Sequence, residues 1–396
     1  MATRWDAGLM GGLAAVVTTL AAVAGLYAAY EARPETIENH AAEVLLNSKT
    51  DEVMELAQAI MPRPRLAGDL TKHLLENPRA YVVVVGPRGC GKTTGVLHAL
   101  SGKAGVLRVK MTEHEDACVA IAKALRMPDG VADAMTQTKL ESVLRKTVEK
   151  GGDPTIIAEL NRGARSEEFV LQVGVLKELC ADKGLVKVVI VLGDADAAFA
   201  MPEDFARQYV IWVNDFNEDD AHIYLDKLGA PQPRNELFYE AGTRPMDLWA
   251  ATQGGFLRFI ALARGQADKK IRTLAHLKCD IPEASGPAFK RLIVDLLENT
   301  SDGWSLQGFD KSAENLGLPC SSTDEYLEAP EVVADVYKDR SHAVLYHQPS
   351  DTWRFHSTSH RRAAEREFPE AAARGAANRR AAESRPGSTW GSRLFG

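Results

Sequence analysis

One short run carries the strongest chemical signal in the chain. Gly86-Pro87-Arg88-Gly89-Cys90-Gly91-Lys92-Thr93 matches G-x-x-x-x-G-K-[ST] without a mismatch, and Thr94 follows. Each residue type has a reason at that spacing. Glycines leave room for successive backbone N–H groups to curl around a phosphate, where a Cβ would collide. Lys92 brings a cation within reach of β- and γ-phosphates, and the Thr93 hydroxyl is placed to ligate Mg²⁺. A helix starting near Lys92 adds its N-terminal dipole to the attraction for an anion. Residues 86–94 are therefore the expected cradle for ATP or ADP with Mg²⁺. Cys90 reads first as a small residue that fits the loop, with a lowered thiol pKa beside Lys92 as the alternative.

The cradle needs a strand before it and a helix after it. Tyr81–Val85, "YVVVV", supplies the first and "TTGVLHAL" the second. It also needs an acid on a neighbouring strand to face the metal. Glu159 closes the apolar run "PTIIA", and Asp194 follows the longer run "VVIVLG". Choosing Asp194 leaves Thr155–Ala158 without a place and only Tyr209–Val213 to follow. Glu159 is therefore preferred as the Walker B acid, with Asp194 then at the sensor position of the next strand; the two remain alternatives. Strand-like runs at Tyr81–Val85, Val106–Met111, Thr155–Ala158, Val186–Leu192 and Tyr209–Val213 alternate with helical patterns near 92–101, 114–126, 136–150 and 166–182. That alternation predicts an α/β fold with a parallel sheet flanked by helices.

Composition bounds the rest. The chain has 396 residues, 45% apolar and 26% charged, with a formal net charge of −7. This is ordinary globular composition and does not mark a nucleic-acid binder. Five scattered cysteines (Cys90, Cys118, Cys180, Cys279, Cys320) form no C-x-x-C pair, which argues against a zinc site and for a reducing compartment. Ala7 to Tyr30 is 24 residues without a charge. As a helix at ~1.5 Å per residue it would be about 36 Å long, enough to span a bilayer. It reads as a membrane anchor, with a cleaved leader peptide and a buried helix as alternatives. On that reading the protein is single-pass, and the phosphate site faces a compartment that holds ATP: cytosol, mitochondrial matrix or plastid stroma, the mitochondrial inner membrane being one setting. Residues 35–60 read as an amphipathic connector closed by the break "MPRPR".

The order of loop, strand–acid and strand–sensor resembles the STAND-like, archaeal-type branch of the AAA+ P-loop ATPases. It is similar to the ATPase module of retrotransposon-hot-spot and Crinkler-type proteins. Two further motifs carry the resemblance: Asp215-Phe216-Asn-Glu-Asp-Asp-Ala221, and Gly242-Thr-Arg-Pro245-Met-Asp-Leu248 with Thr243 in place of a second glycine. The resemblance covers roughly residues 60–265. It implies ATP binding with Mg²⁺, a helical lid, a C-terminal winged-helix-like region and a protein partner or homo-oligomer. It also implies that Arg244 senses the γ-phosphate, and Arg207 lies near where such proteins carry a phosphate-sensing arginine. Together with the reading of the two ends from their composition, the plan is an anchor over 1–33, a connector over 34–62, an α/β core over 63–228, a lid over 229–280, a winged-helix-like domain over 281–360 and an Arg/Ala-rich tail over 361–396. The chain departs from the family in having no Asp-Glu pair at either acid. A binder with little or no hydrolysis, an assembly subunit or scaffold, is therefore the alternative to an ATPase.

Remaining features read as plainer things. "HAVLYHQPSDTWRFHS" predicts a β-hairpin around Gln-Pro-Ser-Asp. The four histidines near it (His342, His347, His356, His360) lack carboxylate or cysteine partners at ligand spacing. Seven arginines between Ser357 and Arg385 alternate with glutamates and alanines, which predicts a solvated helix and tail, with a nucleic-acid or anionic-lipid surface as the alternative.

Overall fold

A computed structural model describes residues 33–50, 61–76, 79–112, 114–160, 167–193, 207–230, 233–275, 293–294, 296–298, 304–305, 344–347, 352–355 and 358–383. Five parallel strands form the centre: β1 (Tyr81–Val85), β2 (Val106–Met111), β3 (Thr155–Leu160), β4 (Lys187–Leu192) and β5 (Gln208–Trp212), in spatial order β2-β3-β4-β1-β5. Both faces of this sheet are covered, so its strands need no polar alternation. β1 shows why: Tyr81, Val83 and Val85 enter one apolar cluster, while Val82 and Val84 enter the other. All five are fully buried.

Helices precede the sheet, α1 (Pro34–Asn47) and α2 (Pro64–Glu76), and connect its strands, α3 (Lys92–Ala99), α4 (Ala117–Ala124), α5 (Asp129–Ala132), α6 (Gln137–Glu149) and α7 (Glu167–Lys177), the last running into a π-turn at Glu178–Asp182. α4 starts where Asp116 accepts hydrogen bonds from the Cys118 N–H at 2.7 Å and the Val119 N–H at 3.3 Å, an N-cap of the usual acidic kind. α1 is built into the core: Ala41, Ala42 and Leu45 join the larger cluster. Glu38 accepts from Lys146 at 2.7 Å and from Ser142 at 2.8 Å on α6.

After β5 the chain builds a helical layer of α8 (Glu218–Lys227), α9 (Asn235–Ala241), α10 (Pro245–Gly254) and α11 (Phe256–Ala275). Phe216, Leu225, Leu237, Leu248 and Ile260 form its own cluster. Arg234 is buried there, its guanidinium donating to the carbonyls of His222 within α8 and Ala230 beyond it and pairing with Asp226 at 2.8 Å. The predicted hairpin is present as β7 (Val344–His347) paired antiparallel with β8 (Thr352–Phe355), and β6 (Trp304–Ser305) adds a third strand. Most of residues 281–357, on which the winged-helix expectation falls, lie outside the described residues.

Two expectations are corrected. Among the described residues no helix is long and apolar enough to cross a membrane. The longest, α11, carries Arg258, Arg264, Asp268 and Lys269 along its length. The single-pass membrane assignment is overturned on that ground, and the apolar segment 7–30 that suggested it lies outside the described residues. The Arg/Ala-rich segment, expected as a solvated helix and tail, is helical over its described part but is not solvated throughout. It forms α12 (Thr358–Glu367) and α13 (Pro369–Glu383), and α12 docks on the lid with Ala363 and Ala364 buried. Its small residues allow close approach. Arg366 then pairs with Asp268 at 2.8 Å and with Glu240 at 3.3 Å.

If α1 belongs to the folding unit, Leu45→Ala removes a fully buried side chain and should lower stability by about 2–5 kcal/mol. Urea denaturation checks this. A change below about 0.5 kcal/mol, the level of an ordinary surface substitution, would place α1 outside the cooperative core.

Candidate functional site

The site forms where the sheet changes direction. The chain leaves β1 toward β2 at one edge and returns past β1 from β4 to β5, so the C-terminal ends of β1 and β4 mark the switch point where α/β sheets take ligands. The Gly86–Thr93 loop leaves β1 at this end. Gly86 has φ +150°, and a Cβ there would collide with the backbone carbonyl of Val213 beyond β5. Gly89 has φ +82°, and a Cβ there would lie 2.8 Å from Cβ of Met246 on the lid. Backbone packs on backbone at one position and lid packs on loop at the other, so glycine is required for closeness as well as for curvature.

Lys92 opens α3 and is buried. Its Nζ donates to the carbonyls of Gly86 at 2.8 Å, Pro87 at 2.9 Å and Gly193 at 3.2 Å. The ammonium is thereby held between the tips of β1 and β4. In front of it lies a cavity of about 700 Å³, lined on the loop side by Arg88, Gly89, Gly91, Lys92, Thr93 and Thr94. Its volume is in the range of small-molecule sites. Glu159, Val191 and Gly193 supply the sheet side, and Tyr224, Pro245, Met246 and Trp249 the lid side.

Of the two candidate acids, Glu159 is brought to the cavity; Asp194 lies outside the described residues. Glu159 is inside β3 rather than closing it, paired in register with Lys110 of β2 and Val191 of β4. Its carboxylate is gripped from β2: the Arg108 Nε donates to Oε1 at 2.6 Å and Nη2 to Oε2 at 3.1 Å. The two side chains share a sheet face at a diagonal position, within reach of long residues. Such a two-point clamp is the strong form of an arginine–carboxylate contact.

The two motifs that follow β5 lock together. The Arg244 guanidinium binds Asp215 through Nε at 3.1 Å and Nη2 at 3.2 Å. Burial draws the Arg244 pKa down while the Asp215 carboxylate beside it raises it, and the net is upward. Thr243 Oγ1 donates to the Phe216 carbonyl, and the Phe216 N–H donates to the Thr243 carbonyl at 3.3 Å. The side chain of Arg244 therefore holds the lid to the end of β5 and is not among the residues lining the cavity. Arg207 is placed at the wrong end for a phosphate sensor: its carbonyl accepts from Tyr81 at the start of β1, and its guanidinium pairs with Asp182. That expectation is corrected.

Sequence reading missed Arg63. Its Nη2 donates to the Cys90 carbonyl at 2.6 Å and Nη1 to the Asn214 carbonyl at 3.0 Å, while the guanidinium lies 4.3 Å over the Phe216 ring. One side chain thus joins the start of α2, the phosphate loop and the root of the lid. The only available signal was an arginine inside "MPRPR", which read as a break. Cys90 has the plainer role: it is buried in the smaller core cluster. Burial pushes its thiol pKa up, and Lys92 offsets only part of that.

No protein family matches the chain, and no curated protein does. Solved structures are similar to it at a distance. A STAND ATPase with a tetratricopeptide-repeat sensor from Pyrococcus horikoshii is 13% identical with TM-score 0.34, over 86% of this chain and 47% of that one, so the chain spans about half of that protein's length. The ORC2 protein of Aeropyrum pernix in its ADP form is 13% identical with TM-score 0.40, over 80% and 93%. The replication initiator DnaA, bound to AMPPCP and single-stranded DNA, is 12% identical with TM-score 0.33, over 71% and 92%. The five-stranded parallel sheet with its flanking helices fits a P-loop NTPase α/β fold.

A raised thiol pKa leaves less thiolate at a given pH, so native Cys90 should resist alkylation. At pH 8 we expect iodoacetamide to label Cys90 at least ~10-fold more slowly in the folded chain than in urea, read by peptide mass spectrometry. Equal rates would show that the loop exposes a reactive thiol.

Proposed function

We infer that the protein is a nucleotide-binding ATPase of AAA+/STAND-like type, which holds ATP or ADP with Mg²⁺ between the sheet and the lid. The observation that carries this is the buried Lys92 ammonium at the tips of β1 and β4, facing a cavity of about 700 Å³. A phosphate entering there meets the Lys92 charge, the loop N–H groups of residues 86–94 and the start of α3. Gly86, Pro87, Arg88, Gly89, Cys90 and Gly91 shape the cradle, and Thr93 and Thr94 offer hydroxyls. Thr93 and Glu159 would hold Mg²⁺, which neutralises developing phosphate charge when bound. Glu159, with Asp194 as the alternative acid, orients the attacking water. Arg244 reaches the γ-phosphate in this reading by leaving Asp215, so that nucleotide state and lid position are linked. The 63–228 core, the 229–280 lid and a protein partner or second copy belong to the same proposal.

A second reading has a specific observation in its favour. Glu159 is occupied by Arg108 at two points, and a carboxylate so engaged is a poor base and a poor metal ligand. A scaffold that binds nucleotide without turning it over follows if that clamp persists in the bound state.

Binding and phosphate release on the full chain separate the cases. Lys92→Ala should weaken Mg-ATP binding by about 10- to 150-fold, the worth of hydrogen bonds to a charged group. Glu159→Gln should bind ATP and lose turnover. If Arg108→Ala raises turnover, the clamp restrains an ATPase; if wild type and Arg108→Ala both bind and neither hydrolyses, the scaffold reading holds. Failure of the wild-type chain to bind ATP would reject both.

A further inference from the structure

We propose that Trp249 is the platform on which the base of a purine nucleotide stacks, with Met246 carrying that platform up to the phosphate loop. This rests on the nucleotide-binding reading and extends it to the part of the ligand that distinguishes one nucleotide from another. Pro245, Met246 and Trp249 fall at positions i, i+1 and i+4 of α10, and the i and i+4 pair shares one helix face. All three line the same cavity as Lys92. Met246 anchors that face to the loop, because its N–H donates to the Gly89 carbonyl at 3.2 Å. Trp249 lies about one turn farther on, ~5 Å along the helix axis.

Two large apolar side chains are left open on this face: Trp249 is 50% exposed and Met246 47%. They line the same cavity as the buried Lys92. A ligand whose phosphates meet Lys92 and whose remainder runs along α10 would cover them. A purine base is the part of a nucleotide with a flat face that matches an indole. Tyr224 lines the cavity as well and is steadied by Phe216, whose ring centroid is 5.3 Å away. A protein partner seated on Trp249 is the rival occupant, and it predicts no dependence of nucleotide affinity on this residue.

Calorimetric titration of the full chain with Mg-ATP, Mg-CTP and inorganic tripolyphosphate tests the proposal. Trp249→Ala should weaken ATP by about 5- to 150-fold, the range of base–aromatic stacking, weaken CTP less, and leave tripolyphosphate unchanged. Trp249→Phe should retain most of the ATP affinity. Unchanged ATP affinity in Trp249→Ala, with binding still lost in Lys92→Ala, would overturn this inference alone. An equal loss for tripolyphosphate would mean that the substitution damages the loop, and would overturn it too. If the wild-type chain binds neither ATP nor tripolyphosphate, the nucleotide-binding reading falls and this one with it.

Discussion

The Lys92 ammonium, withdrawn from solvent onto three backbone carbonyl oxygens, is the contact around which the rest is arranged. A buried cation is costly unless polar groups converge on it. Here they converge only because β1 and β4 are neighbours in register, Val84 beside Val191, so that the loop at Gly86–Pro87 and the turn at Gly193 end close together. The valine run of β1 is thus more than filler. Burying it on both faces fixes the strand, the strand fixes the carbonyls, and the carbonyls hold a charge at the mouth of a cavity. On the nucleotide-binding reading, an arriving phosphate would compete for that ammonium only with dipoles, which a full negative charge does well.

The same loop ties the lid to the sheet. Gly89 touches Met246, Arg63 reaches from α2 to the Cys90 carbonyl and over Phe216, and Thr243 and Phe216 exchange hydrogen bonds. Arg244 and Asp215 add a buried ion pair at the same junction. These contacts lie within a few residues of one another along two short motifs, so the lid cannot shift without disturbing the loop. α12 extends the connection, since its ion pairs with Asp268 and Glu240 bind the end of the described chain to the lid.

Much of this was legible in the sequence, and the parts that were not share a cause. β1 and β2 fall where the apolar runs predict them, and the others shift by one or two residues, because a strand buried on both faces leaves an uninterrupted signature. The Gly86–Thr93 loop was legible as a tight turn between strand and helix, because its close approaches to Val213 and Met246 tolerate few residue types. Glu159 was found, but not as an interior strand position, since a carboxylate after "TIIA" reads as a strand end until its partner is known. That partner, Arg108, lies 51 positions earlier in the chain and has no local signal. Arg63 and the docking of α12 were missed for the same reason: arginine's role is set by what it meets in space. The membrane expectation rested on apolarity alone, and no helix among the described residues is long and apolar enough to bear it out.

Glu159 concentrates the tension in the site. In this chain it is the acid that the described residues bring to the cavity, and a metal ion and an attacking water would both draw on it. Arg108 already holds both of its oxygens from a neighbouring strand. Both partners are largely withdrawn from solvent, with side-chain exposures of 22% and 11%, so separating them strands two charges at a cost that water only partly relieves. A divalent cation held between Thr93 and Glu159 would bring a stronger field than a guanidinium, and the γ-phosphate would give Arg108 another anion to face. On the nucleotide-binding reading, metal and phosphate arriving together would offset the cost of parting this pair better than either alone.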